Sequence, residues 1–214
     1  MVLPSATLFP QVLLPLYIFE ERYRKMLARA LEGDRMFIVA MQRPGAKRET
    51  PSSIACIGLI RVCIENPDGT SHLILQGLSR VELGPVTRYK PVRTHMIRPI
   101  QTTGNDSLEI DALLAKVRDL VHERITLGMP PFTLPGKQNT KEGHSLFSAK
   151  EMIGYLNKLT DADQVADLVS HALLKEAASR QTILETVEVE PRLKHLIHFL
   201  VAEIRAHRKQ KKPK

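Results

Sequence analysis

The spacing of apolar residues divides the chain into two halves of different character. In residues 1–104 the apolar residues form short runs separated by Pro, Gly and Asn, a pattern typical of β-strands joined by turns. These runs predict strands at residues 8–19, 36–41, 54–64, 72–75, 77–83 and 86–97. In residues 105–214 the apolar residues recur every third or fourth position, as in amphipathic helices. The sequence therefore predicts an α+β protein, with a β-rich domain at 1–104 followed by an α-helical bundle at 105–214.

One helix is predicted inside the β-rich half. Tyr23, Met26 and Leu27 recur at three- and four-residue steps and define one apolar helical face. Gly33 follows this face, and we expect it to end the helix in the left-handed conformation that glycine favours. Together with the strands on either side, the helix is expected to bury one continuous apolar seam.

The second half predicts five helices. Thr160 and Asp163 have the spacing of a capping box at the start of one helix, and Pro191 is placed as the first residue of the last one. Residues 129–145 contain three prolines and show no periodicity, which predicts a mobile or disordered loop. The last ten residues, 205–214, form a basic tail.

Charge is unevenly distributed along a chain whose net charge is +8. Residues 1–105 carry 14 Lys and Arg against 8 Asp and Glu, whereas residues 106–190 carry a net charge of −5 and residues 191–214 a net charge of +7. Basic regions of this kind could contact nucleic acid, but charge alone is a nonspecific signal. The scarcity of aromatic residues also disfavours base stacking, so a solvated helix end is the simpler interpretation of the tail.

The sequence contains no recognisable catalytic or metal-binding motif. Gly136-Lys137 lacks the first Gly and the Ser or Thr of a phosphate-binding loop. His195 and His198 are three residues apart on a predicted helix, but no third ligand follows nearby. We therefore predict no cofactor, no metal and no catalytic activity.

Membrane insertion and export are not expected either. The longest apolar runs are far shorter than the roughly 20 residues of a membrane-spanning helix, and the N-terminus lacks the pattern of a signal peptide. Cys56 and Cys63 lie at an odd offset within a predicted strand, so they are expected to point to opposite faces and to remain reduced thiols. These features favour a cytoplasmic protein.

The apolar residues before the first helix outnumber those that one strand face can bury. We predict that Phe9, Leu13 and Tyr17 belong to an exposed apolar patch that contacts a ligand. The alternative is that other strands and the helix cover both faces of this segment, which would make these residues core. The sequence leaves both interpretations open.

Several motifs together resemble a known family. They are Pro15-Leu16-Tyr17-Ile18-Phe19-Glu20-Glu21-Arg22-Tyr23, Ile57-Gly58, Pro67-Asp68-Gly69, Gln76-Gly77-Leu78-Ser79-Arg80-Val81, Arg180-Gln181-Thr182-Ile183-Leu184-Glu185-Thr186 and Arg192-Leu193. As a set they resemble the LON substrate-binding (N-terminal) domain family, in particular its stand-alone bacterial members. The resemblance implies a twisted, barrel-like β domain of the PUA-like type followed by a helical bundle.

The resemblance also implies a function. The ATPase module and the Ser–Lys protease module of the full-length proteases have no counterpart in this sequence. What remains implied is a non-enzymatic module that recognises unfolded or misfolded polypeptides, with a protease or a chaperone as a possible partner. An RNA-binding PUA-like module is the first alternative, because residues 1–105 are basic. A small-molecule or adaptor module is the second, and a deep apolar pocket would be its sign.

Overall fold

A computed structural model describes residues 1–46, 48–102, 107–129 and 149–211, without the side chains of residues 149–152 and 211. The chain divides into two compact units, Met1–Gln101 and Thr102–Lys214. Three expected features lie outside the described residues. They are the domain boundary at residue 104, all but the first residue of the loop at 129–145, and the last three residues of the tail.

The first unit is a six-stranded sheet with one helix. Its elements are β1 (Val2–Leu3), β2 (Leu13–Ile18), α1 (Glu21–Glu32), β3 (Met36–Met41), β4 (Ile54–Glu65), β5 (Ser71–Arg88) and β6 (Thr94–Pro99). The strand order is β1-β3-β4-β5-β2, and β6 pairs with the C-terminal part of β5. All pairings are antiparallel except that of β1 with β3.

The described residues of the second unit form five helices. They are α2 (Leu108–Thr126), α3 (Ala149–Lys158), α4 (Ala162–Leu173), α5 (Ala177–Glu185) and α6 (Val189–Lys211). The longest two, α2 and α6, lie side by side and run in the same direction, since Glu109 pairs with Lys194 near their starts and Glu123 with Arg208 near their ends. The predicted α+β class is confirmed.

Strand β5 is longer than the sequence indicates. Breaks were expected at residue 76 and at residues 84–85, but β5 runs continuously through both and pairs Gly77 with Gly58 of β4. The two glycines leave space for the segment before β2, because a β-carbon on Gly77 would lie 2.0 Å from the carbonyl oxygen of Phe9 and one on Gly58 would lie 2.9 Å from Leu8 Cδ2. Residues 8–12 cross the sheet at this point, so β2 begins at Leu13 and not at Leu8.

Two helix ends differ from the expectation. Gly33 has a φ of −109°, and the left-handed residue after α1 is Arg35, whose N–H donates to the Ala30 carbonyl at 2.8 Å. Helix α4 is capped by Asp161, whose Oδ1 accepts from the N–H of Asp163 at 2.9 Å. Capping by Thr160 was therefore wrong by one residue, since a carboxylate stands next to it and accepts the helix N–H groups better.

Buried arginines hold the helical unit together. Arg124 on α2 forms an ion pair with Glu203 on α6 and donates from Nη2 to the Leu173 carbonyl at 3.0 Å. Arg192 is fully buried and donates from Nε to the Thr186 carbonyl at 2.7 Å. Each guanidinium binds the end of a helix or a connecting segment, which satisfies carbonyl groups that would otherwise be buried without a donor.

Candidate polypeptide-binding surface

One face of the sheet in the first unit exposes apolar side chains from three adjacent strands. Cross-strand register places Tyr17 of β2 beside His72 of β5, and His72 beside Ile64 of β4. The next row places Pro15 beside Ile74, and Ile74 beside Val62. We call this surface the apolar sheet face and define it by Leu13, Pro15, Tyr17, Val62, Ile64, His72 and Ile74.

The exposure of these side chains is large for apolar residues at sheet positions. Leu13 is 54% exposed, Tyr17 46% and Ile64 60%. None of the seven residues carries a carboxylate, an ammonium or a guanidinium group. Contiguous apolar surface of this kind on a folded protein marks an interaction site more often than scattered single residues do.

Aromatic rings extend the face at one end. The Tyr17 ring stacks on His72, with 4.7 Å between ring centroids, and on Phe19, with 5.8 Å between centroids. Phe19 follows β2 and is 60% exposed. The stacked rings form a flat, rigid apolar platform that loses little conformational entropy when a ligand covers it.

The apolar sheet face is exposed because the same strands use their alternate residues for the core. Leu14, Ile18, Leu73 and Leu75 are each at most 2% exposed, and they alternate along β2 and β5 with the exposed residues. Successive side chains of a strand point to opposite faces of the sheet. These strands are therefore apolar on both faces although only one face is buried.

Strand β2 forms an edge of the sheet within the described residues, where it pairs with β5 alone. Gly77 N donates to the Val12 carbonyl at 2.9 Å. Since hydrogen-bonded positions alternate along an antiparallel pair, the backbone groups of Leu13, Pro15 and Tyr17 face away from β5. Pro15 lacks an N–H, and proline within a sheet is found mainly on edge strands. This edge of β2 therefore offers backbone N–H donors at Leu13 and Tyr17 only.

The structure separates the three site residues expected from the sequence. Leu13 and Tyr17 lie on the apolar sheet face, whereas Phe9 lies in the segment before β2 and is fully buried. The expected contact through Phe9 is thus corrected, because Phe9 has no exposed surface and belongs to the core. Val62, Ile64 and Ile74 complete the face and were missed, because their position beside β2 follows from strand register and not from a local pattern.

A recess of about 380 Å³ lies elsewhere in the first unit and shares no residue with the apolar sheet face. Its walls include Met26, Met36, Ile57, Leu83 and His95. The His95 ring is fixed there by a contact of 2.9 Å between Nδ1 and the Gly84 carbonyl. The volume is at the lower end of the range of small-molecule sites, so the small-molecule alternative has a definite location.

The histidines and cysteines form no metal centre in the described residues. No group of three or more His, Cys, Asp or Glu side chains that could hold a metal ion occurs there. His195 Nδ1 lies 3.1 Å from the Thr186 hydroxyl. Cys56 is buried and Cys63 half-buried, and no disulfide joins them. In the same part of the chain, none of the helices combines the length and the apolar character needed to cross a membrane.

The fold and the exposed face define an α+β protein in which a sheet unit with an apolar outer surface precedes a helical unit. The chain belongs to the family of ATP-dependent protease La (LON) substrate-binding domains, whose sequence profile matches residues 1–202. The resemblance seen in the sequence motifs is thereby confirmed.

Curated relatives are full-length proteases. The chain is 27% identical to the Lon protease of Trichlorobacter lovleyi and 28% identical to Lon protease 2 of Herpetosiphon aurantiacus, over 93% and 95% of its own length. It spans only 23% and 24% of the length of these two relatives. The similarity thus concerns about a quarter of each protease.

Solved structures show the same fold. The N-terminal domain of the Mycobacterium avium complex Lon protease superposes with a TM-score of 0.71 at 20% identity, covering 94% of this chain and 96% of that one. The Lon N-terminal domain protein from Xanthomonas campestris gives a TM-score of 0.62 at 17% identity, covering 92% and 96%.

Proposed function

We propose that this domain binds exposed apolar segments of unfolded or misfolded polypeptides on the apolar sheet face and catalyses no reaction itself. The observation that carries the proposal is the row-by-row register of exposed apolar residues on β2, β5 and β4. Membership of a family described as substrate-binding supports it.

Burial of apolar surface supplies the binding energy in this mechanism. Each Å² of apolar surface removed from water contributes roughly 25 cal/mol, and Leu13, Ile64 and the Tyr17 ring offer most of that surface. An unfolded client must be ordered as it binds, which offsets part of this gain. We therefore expect weak, sequence-tolerant binding that selects for apolar and aromatic side chains.

Backbone pairing adds a second component. An extended client segment can lie beside β2 and hydrogen-bond to the outward backbone groups of Leu13 and Tyr17, while its alternate side chains cover the apolar sheet face. Because Pro15 provides no donor, the pairing is incomplete. Incomplete pairing suits a module that must release many different clients.

The biological role we propose follows from the family. A substrate-binding domain of an ATP-dependent protease presents polypeptides to a proteolytic machine, so we propose that this domain recognises clients in protein quality control on behalf of a protease or a chaperone.

The test is binding of the purified protein to a fluorescently labelled, reduced and alkylated model protein that cannot fold. Tyr17→Ser and Ile64→Glu are expected to weaken binding at least tenfold while the far-UV circular dichroism stays unchanged. Leu108→Glu is the matched control, because Leu108 is 86% exposed but lies in the helical unit. Undiminished binding by both face variants would refute the proposal.

Salt provides an independent criterion. Apolar contacts persist or strengthen as salt concentration rises, whereas contacts between charged groups weaken. Retained binding at high salt is therefore expected for this surface. A steep loss of binding with salt would show that another surface holds the client.

A further inference from the structure

The two ends of the apolar sheet face differ in chemistry. At one end the rings of Tyr17, His72 and Phe19 are stacked. At the other end, register places Leu13 beside Gln76 of β5. Because His72 and Gln76 are separated by an even number of residues in one strand, their side chains point to the same side of the sheet. The face therefore changes from aromatic to polar over four residues of β5.

A guanidinium group lies at the polar end. Arg61 of β4 is exposed and donates from Nε to Gln76 Oε1 at 2.5 Å. Arg61 occupies the register shift between Ile60 and Val62, and a bulge of this kind can turn a side chain toward a different direction. The hydrogen bond to Gln76 places the Arg61 side chain on the same side of the sheet as the apolar residues.

The terminal nitrogens of Arg61 are available to a ligand. Gln76 accepts from Nε alone. In the part of the chain that the structure describes, Arg61 forms no ion pair and makes no second side-chain hydrogen bond. The two terminal nitrogens lie in one plane and match the two oxygens of a carboxylate. Gln76 restrains the guanidinium, so less conformational freedom is lost when a carboxylate binds.

At the aromatic end, by contrast, the cation Arg24 already faces a carboxylate. Arg24 lies against the turn between β4 and β5, since a β-carbon on Gly69 would lie 2.0 Å from Arg24 Nη2. Hydrogen bonds from Thr70, with a smaller effect of Arg24, lower the pKa of Asp68 in the same turn. The charge of Arg24 is thus offset locally, whereas that of Arg61 is not.

We propose that Arg61 binds a carboxylate of the client, so that the apolar sheet face selects segments in which a carboxylate lies four residues from an aromatic side chain. His72 and Gln76 are four residues apart, which corresponds to about 13 Å of strand. In an extended client, side chains four residues apart share one side and span the same distance. This inference rests on the proposed function and names the class of client that the face prefers.

The experiment is fluorescence anisotropy of labelled 12-residue peptides with both termini capped. Each contains one Phe and, four residues before or after it, one Glu in an otherwise uncharged sequence. For the order that binds more tightly, the Glu peptide is expected to bind about fivefold more tightly than its Gln counterpart. Moving Glu to three residues from Phe places it on the other side of an extended chain, so this ratio should fall to about one.

Variants of the protein test the role of Arg61. Arg61→Gln is expected to bring the Glu-to-Gln ratio to about one. Arg61→Lys retains the charge without the planar pair of donors and should give a ratio of about two. Gln76→Leu frees the guanidinium and should lower the ratio to a similar value, which is the sign of a positioning residue. Arg88→Gln is the matched control, because Arg88 is an exposed cation of β5 outside the face and its ratio should stay at about five.

A second peptide pair identifies the source of the carboxylate. One peptide ends in a free carboxylate four residues after Phe, and its counterpart ends in an amide at the same place. A preference for the free terminus, for the internal Glu or for both supports the proposal and shows which carboxylate Arg61 binds. High salt should reduce either preference, since salt screens charged contacts, while binding of the uncharged peptides persists.

Failure of this inference can be distinguished from failure of the proposed function. If neither carboxylate is preferred although Tyr17→Ser weakens binding of the peptides, carboxylate selection is refuted and the apolar sheet face remains the binding surface. Equal weakening of the Glu and Gln peptides by Arg61→Gln would assign Arg61 to a backbone carbonyl of the client and would also refute carboxylate selection. Peptide binding that is absent, or insensitive to Tyr17→Ser, would refute both proposals.

Discussion

The carbonyl of Phe9 occupies the space that a side chain on Gly77 would need. The Gln11 N–H donates to the Gly77 carbonyl at 2.9 Å, and the Gly77 N–H donates to the Val12 carbonyl at the same distance. These two hydrogen bonds hold the segment before β2 against β5. A β-carbon at Gly77 would meet Phe9 backbone, which cannot rotate away as a side chain can. The segment before β2 thus depends on this glycine.

Gly77→Ala is therefore expected to destabilise the sheet unit by about 2–4 kcal/mol, in the range of severe overpacking. Urea unfolding followed by a sheet-specific probe measures the loss. Gly33→Ala is the control in the same unit, since its β-carbon would meet only Arg29 O at an ordinary 3.5 Å. Equal stability of the two variants would contradict the proposed close approach.

Leu13 and Leu14 provide a paired test of the two faces of β2. Leu14 is 2% exposed and Leu13 54% exposed. Leu14→Glu buries a carboxylate without a partner and is expected to unfold the unit. Leu13→Glu should change stability by less than about 1 kcal/mol and abolish client binding. Unfolding by Leu13→Glu, measured by circular dichroism, would instead place Leu13 in the core.

Two ion pairs between α2 and α6 differ mainly in burial. Arg124 is fully buried beside Glu203, whereas Arg208 is 59% exposed beside Glu123. Arg124→Ala removes the cation beside Glu203, which keeps the Lys175 N–H as a donor, and removes the Arg124 donor from the Leu173 carbonyl, so a loss of about 3–5 kcal/mol is expected. Arg208→Ala should cost at most about 1 kcal/mol. Thermal or urea unfolding of the two variants tests this difference.

His171 gives the helical unit a predicted dependence on pH. Burial, with a smaller effect of Arg180, lowers the pKa of His171 from 6.5 to about 4. Between these values the unfolded chain binds more protons than the folded one, so stability rises from pH 4 to pH 6.5 and is lost as the pH falls. The full effect is about 3 kcal/mol. His171→Gln should flatten the stability profile over this interval, and an unchanged profile would contradict the assignment.

Alternation predicts part of the binding face correctly. Phe9, Leu13 and Tyr17 all have odd numbers, so an uninterrupted strand would place them on one side. Gln11 has a φ of 62°, which interrupts the strand and allows residues 8–12 to turn into the core. Leu13 and Tyr17 follow the interruption and share a face, whereas Phe9 precedes it and does not.

The rest of the face depends on pairing between distant segments. His72 and Ile74 become neighbours of Tyr17 and Pro15 only through the register of β2 on β5. A register shift between Ile60 and Val62 of β4 places Val62 opposite Ile74 and Ile64 opposite His72. A bulge of this kind shifts which residues share a face, and no local signal in β4 specifies its position.

Strand β2 is an edge strand within the described residues, and Pro15 removes one outward N–H group from that edge. Unpaired backbone groups along an edge can also pair with a second copy of the same chain, and a proline on the edge opposes such aggregation. The residue that makes client pairing incomplete is therefore expected to limit aggregation of the domain with itself.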